Sequence, residues 1–186
     1  MIRMKEMVAS SDSWRRLEAD HREAVERFVT LAWSVAPGQW GIALQHAKWS
    51  PAQVTEHIVL TYEALLRELS GGAAMVLRTK WWQRIALRKL LLSRILKTGR
   101  IPAGAAAPRE LRPGPVALDK EALLEKLCAG ASRLDAELVA RRKSARLTHP
   151  YFGRLNAPAV LRFCAIHTRH HAGQLPGAPE VASRRG

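Results

Sequence analysis

Four stretches of this chain repeat apolar residues at three- and four-residue steps, and proline, glycine or a helix-capping residue bounds each one. That period marks amphipathic helices burying one face. In the first stretch Trp14, Leu17, His21, Ala24, Phe28, Leu31 and Val35 form the stripe, and Pro37-Gly38 stops it. Ser11, Asp12 and Ser13 offer caps, so a helix is expected from about Ser13 to Ser34. The second start is sharper. Ser50 is an N-cap, Pro51 sits at the first helical position and Gln53 completes a capping box, with Trp49 and Val54 placed for a hydrophobic staple. This helix is expected to reach about Leu69, with Val54, Ile58, Leu65 and Leu69 on its stripe and Gly71-Gly72 behind it. The third follows a cap at Asp119, carries Leu123, Leu127, Ala131, Leu134 and Leu138, and is expected to run to about Leu147. The fourth spans about Pro158 to Leu175. No repeat and no strand is evident. Four such helices predict an all-α four-helix bundle.

Between the second and third helices lies a different kind of sequence. Residues 81–98 are amphipathic and strongly basic, Gly99 closes them, and a proline- and glycine-rich excursion follows from Ile101 to Pro115. From Arg78 to Arg112 the sole acid is Glu110. The stretch 70–118 has too few apolar residues for a core of its own, so it reads as a basic helical insert on one domain of 186 residues. The core is expected over about 13–175, and the tail 176–186 reads as disordered.

The net charge of +14 favours anionic partners. Nucleic acid is disfavoured, since no recognised binding motif accompanies the charge. Cys128 and Cys164 make no disulfide framework and read as reduced thiols, which suits the cytoplasm. The start lacks the apolar run of a secretory signal, and no run of apolar residues is long enough to span a bilayer.

Chemistry concentrates in three histidines. His167 and His171 stand four residues apart, one turn apart on one helix face, with Val160, Cys164 and Leu175 on the same stripe. His57 lies beside Ile58 on the inward face of the second helix, where an unpartnered imidazole is costly. If the bundle brings the three together, they form a metal site with an open position. His170 is about 60° round the helix from His167, so it is expected to face substrate or to support a ligand. Gln174, one turn beyond His170, is read the same way. Cys164 reads as a small buried packing residue, with a role as fourth ligand left open. Glu56 points about 100° away from His57 and reads as surface. His21, His46 and His149 are not assigned to the metal. No catalytic acid or base stands out, and no serine triad, phosphate loop or dinucleotide fingerprint is visible.

Three segments carry a family resemblance: Trp49-Ser-Pro-Ala-Gln-Val-Thr-Glu-His57, His149-Pro-Tyr-Phe-Gly153 and Ile166-His-Thr-Arg-His-His-Ala-Gly-Gln174. Together they resemble the DinB-like superfamily over about Trp14 to Leu175. The resemblance implies a four-helix bundle with a divalent ion, such as zinc or nickel, held by His57, His167 and His171. It also implies a class of reaction: transfer or isomerisation dependent on a low-molecular-weight thiol, or hydrolysis. The stretch 78–115 departs from the family's pattern.

The expectation is therefore a metal-dependent transferase or hydrolase acting on a small, anionic molecule, with room for a homodimer on spare apolar faces. The alternative is a non-catalytic, metal-stabilised and stress-related binding module. Its basic face would meet nucleic acid or an anionic membrane.

Overall fold

The cap at Ser50 forms as its sequence implies. The Ser50 hydroxyl accepts the Gln53 N–H at 3.3 Å, and Gln53 Oε1 accepts the Ser50 N–H at 3.1 Å. From there the computed structural model, which describes residues 2–45, 48–102 and 107–178 and side chains from residue 12 onward, runs almost entirely through helices. They are α1 (Ile2–Ser34), the short α2 (Pro37–Trp40), α3 (Pro51–Leu69), α4 (Trp81–Leu87), α5 (Ser93–Thr98), α6 (Lys120–Ala140) and α7 (Ala157–Ala172). The π turn Arg88–Leu92 joins α4 to α5.

The bundle is α1, α3, α6 and α7. The most extensive packing is α1 on α7 and α3 on α6. The stripes read from the sequence meet at the centre: Phe28, Ile58, Leu127, Leu134 and Leu161 are all buried to within 1% of complete exclusion. Burying each such side chain stabilises by about 1.5–3 kcal/mol before conformational entropy is counted.

Four boundaries differ from expectation. α1 begins at Ile2, so Ser11, Asp12 and Ser13 lie inside it. Asp12 pairs with Arg15 one turn on, an arrangement that supports a continuing helix instead of capping a new one. α6 stops at Ala140, not near Leu147, because the apolar period fails after Leu138. The chain then extends: Arg146 is exposed between buried Ala145 and Leu147, and Thr148 is held by Glu68 through its N–H and hydroxyl. Against the expectation of no strand, this segment is β1 (Arg146–His149), paired antiparallel with β2 (Gly153–Asn156). α7 then starts one residue early, capped by Asn156 Oδ1 on the Ala159 N–H, and ends at Ala172. Most of the expected tail, from residue 179 on, and His46 lie outside the described residues.

The insert lies across the hairpin and α7. Arg78 N–H donates to Pro150 O, Arg88 to Arg154 O and Arg162 to Leu96 O. Gly153 sits at φ +72°, and a Cβ there would come within 2.6 Å of Arg84 Cδ. The hairpin corner therefore needs glycine for its backbone and for the side chain passing over it. Gly99, at φ +67°, ends α5 as expected. Among the described residues, no helix is long and apolar enough to cross a membrane.

Candidate metal centre

α3 and α7 bring the three predicted histidines to one point. His57 Nε2 lies 3.3 Å from His167 Nε2, which lies 3.1 Å from His171 Nε2. One ligand atom from each ring falls within 4.8 Å of the other two. His57 and His171 are buried, and His167 is half-buried.

Two neighbours fix which nitrogens are bare. His57 Nδ1 is 2.7 Å from Leu111 O, a carbonyl that can only accept, so Nδ1 carries the proton. His171 Nδ1 donates to Gln174 Oε1 at 2.9 Å. In both neutral rings Nε2 is left as a lone pair aimed at His167. Such support orients a metal-binding imidazole and raises its basicity. Gln174, expected to support a ligand or to face substrate, is in contact with one of the three histidines. Its amide nitrogen lies 3.5 Å from Nε2 of His170, whose ring stands edge-on to His171. Trp49, expected in a staple, lies over His57 with ring centres 4.9 Å apart and stacks at 6.5 Å on His171.

Burial keeps the trio neutral. It lowers the pKa of His57, with the nearby His170 adding to the effect and the Leu111 bond opposing it. Desolvation, then the neighbouring imidazoles, hold His167 well below its ordinary value. His171 is pushed down to about 3, chiefly by burial. Three neutral imidazoles with converging lone pairs repel one another unless a cation or a proton lies between them. A tetrahedral ion with nitrogens at about 2.0–2.1 Å places them about 3.3 Å apart, which two of the separations already match. The residues present fit a divalent ion.

Cys164, the remaining candidate, lines the adjacent cavity but does not join the trio. Burial, aided by the charge of Asp135, pushes its thiol up to about 12, so it stays protonated at neutral pH. Glu56 is turned away and accepts the Gly114 N–H at 3.1 Å.

The cavity beside the trio measures about 1070 Å³, enough for a drug-sized molecule. Leu87, Leu91 and Ile95 of the insert form one wall, Phe152 and Phe163 another. Among the described residues, Lys48 and Arg112 are its only lining residues with a permanent charge, and no Asp or Glu lines it. The insert's helical part therefore turns an apolar edge to the site and keeps Lys80, Arg88, Lys89 and Arg94 exposed.

Sequence reasoning passed over three elements. Leu111 acts through a backbone carbonyl, which has no side-chain signature. His149 lines the cavity, stacked on Phe152 at 4.4 Å. Its Nδ1 accepts the Tyr151 N–H at 3.2 Å, and burial pushes its pKa down to about 3, so its proton resides on Nε2. His21 is fully buried, with Nδ1 2.7 Å from Asp135 Oδ1 and Nε2 2.8 Å from Tyr62 Oη, which in turn lies 3.0 Å from Thr168 Oγ1. Its position on the inward stripe of α1 was the available signal. This polar chain ties α1, α3 and α6 to the turn of α7 that carries His167.

A search of curated proteins and of solved structures finds no match to the chain. The family model of the DinB superfamily matches residues 17–175, which contain most of the packed stripe of α1, those of α3, α6 and α7, and the three converging histidines. The chain belongs to the DinB superfamily.

Proposed function

We propose that this protein is a metal-dependent enzyme in which His57, His167 and His171 hold a divalent ion, zinc or nickel by the family resemblance, with an all-imidazole donor set that suits either. The observation that carries this reading is the convergence of three Nε2 atoms, two of them stripped of protons by Leu111 O and Gln174. Bound there, the ion supplies a Lewis acid that makes a thiol or a water nucleophilic near neutral pH. The chain's own residues do the rest. Leu111 and Gln174 hold the imidazoles in register. Trp49 covers two of them. The apolar walls exclude bulk water, which strengthens every electrostatic interaction inside. His149 offers an Nε2–H donor to a substrate oxygen, and Lys48 and Arg112 attract an anionic group on a mostly apolar molecule. Transfer or isomerisation with a low-molecular-weight thiol, or hydrolysis, suits this arrangement.

A structural ion in a binding module is the competing reading, and the exposed cations of the insert are its support. Structural zinc sites are closed by four protein ligands. Among the described residues no fourth ligand joins the trio, which favours the open, reactive type.

Elemental analysis of protein purified without a histidine tag tests the metal, with one equivalent expected in the parent and almost none in His57→Ala. Consumption of an electrophile with a small thiol, dependent on metal and lost in His167→Ala, tests the chemistry. A parent protein that binds no divalent ion overturns the reading.

A further inference from the structure

The insert helix has a second apolar face that the bundle does not use. Half of the large apolar side chains left exposed among the described residues fall within 76–90: Val76, Leu77, Trp81, Trp82, Ile85 and Leu90. Trp81 is 68% exposed and Trp82 54%, values rare for tryptophan, whose ring normally finds cover. Trp81 and Ile85 are one turn apart on α4 and Trp82 adjoins them, so they make a continuous patch. Leu87 of α4, Leu91 of the π turn and Ile95 of α5 instead face the cavity. The outward patch is therefore a separate feature and not the edge of the core.

The charges around that patch select its occupant. From residue 69 to 109 there is no acid, while Lys80, Arg84, Arg88, Lys89, Arg94, Lys97 and Arg100 stand along the helix and its exit. Among the described residues, Arg78 is the one cation of this region paired with a carboxylate, Glu110 at 2.8 Å. A second copy of the same face would bring like charges together at every step. An apolar protein partner would leave the cations unmatched. Tryptophan flanked by lysine and arginine instead suits the boundary of an anionic bilayer, where indole rings sit at headgroup depth and long basic side chains reach phosphates.

We propose that the outer face of α4 and the π turn docks this protein on anionic membranes as a peripheral protein, Trp81, Trp82 and Ile85 entering the headgroup layer while Lys80 and Lys89 engage lipid phosphates. The proposal does not depend on the metal site. No helix among the described residues could cross the bilayer, so the contact is superficial. Cations near a charged surface act additively and are screened by salt, so binding weakens steeply as ionic strength rises.

Co-sedimentation of the full chain with two kinds of vesicle is the test: phosphatidylcholine alone, and equal parts phosphatidylcholine and phosphatidylglycerol. Binding is expected only to the second, with a blue shift in tryptophan emission. Trp81→Ala with Trp82→Ala is expected to lower partitioning roughly tenfold, since affinity follows the apolar area inserted. Lys80→Gln with Lys89→Gln is expected to lower it by roughly tenfold to thirtyfold. All four side chains are exposed, so melting temperature and metal content stay at parental values and report folding. No binding to the anionic vesicles overturns the proposal, as does binding that survives loss of both tryptophans. Tighter binding to single-stranded DNA at the same salt, weakened by the same tryptophan changes, overturns it too and assigns the face to nucleic acid.

Discussion

The bundle and the insert solve the same local problem in opposite ways. Each must hold one imidazole so that its Nε2 stays bare. The bundle does it with a side chain: Gln174, exposed just past α7, accepts from His171. The insert does it with backbone: Leu111 O, in a short 3-10 turn, accepts from His57, while the Leu111 side chain is buried beneath. In the first case orientation and stability reside in different residues. In the second one residue contributes to both, but through different atoms. The insert, which looks like an appendage in the sequence, is thus part of the site.

Paired substitutions separate the two solutions. Leu111→Ala keeps the carbonyl and removes the buried side chain, so chemical denaturation is expected to show a loss of about 2–4 kcal/mol while metal affinity in the folded protein changes little. Gln174→Leu does the reverse. Stability is expected to stay near the parent's, and competition titration is expected to show metal affinity lower by about ten- to a hundredfold. If Leu111→Ala loses metal as severely as Gln174→Leu, the insert's contribution is general rigidity and not a fixed hydrogen bond.

Acid provides a smaller, graded probe of the same contrast. The folded pKa of His171, in the bundle, and of His149, between the hairpin and the insert, is about 3, against 6.5 when exposed. Neutral rings are favoured in the fold, so the unfolded chain binds more protons below 6.5. The stabilisation is complete above that pH and is lost as pH falls towards 3. Denaturation of metal-free protein across this window is expected to show a slope of up to about 1.4 kcal/mol per pH unit for each such group. In His149→Phe one group's share of that slope disappears. A slope unchanged in this variant shows that His149 already titrates normally.

The sequence announced the bundle because its signals are side-chain signals. Ser50, Pro51 and Gln53 give the start of α3, and the spacing of His167 and His171 with the inward place of His57 gives the trio. It missed what is carried by backbone or by brevity. Strands of four residues, Arg146–His149 and Gly153–Asn156, offer too few positions for alternation to stand out beside a helical period that has just ended. The cap signal at Ser11 to Ser13 misled because the residues before it also propagate a helix. His149 is not assigned to the metal in the sequence, and the last position of a four-residue strand is what delivers it to the cavity wall. The exposure of Trp81 and Trp82 was unreadable because a tryptophan pair serves packing equally well in a one-dimensional pattern.

The neutral imidazoles of the trio have a calorimetric consequence. A histidine that is protonated at working pH must give up its proton to accept an ion, and the surrounding buffer absorbs it with a heat of its own. Here burial has already removed those protons, and any hydrogen on His167 can pass between its own two nitrogens without leaving the protein. Once the heat of ion binding to the buffer itself is subtracted, metal uptake at pH 7 is therefore expected to release about one proton or fewer, from the newly bound water and none from the imidazoles, the signature of a receptor made ready by folding and not by its guest.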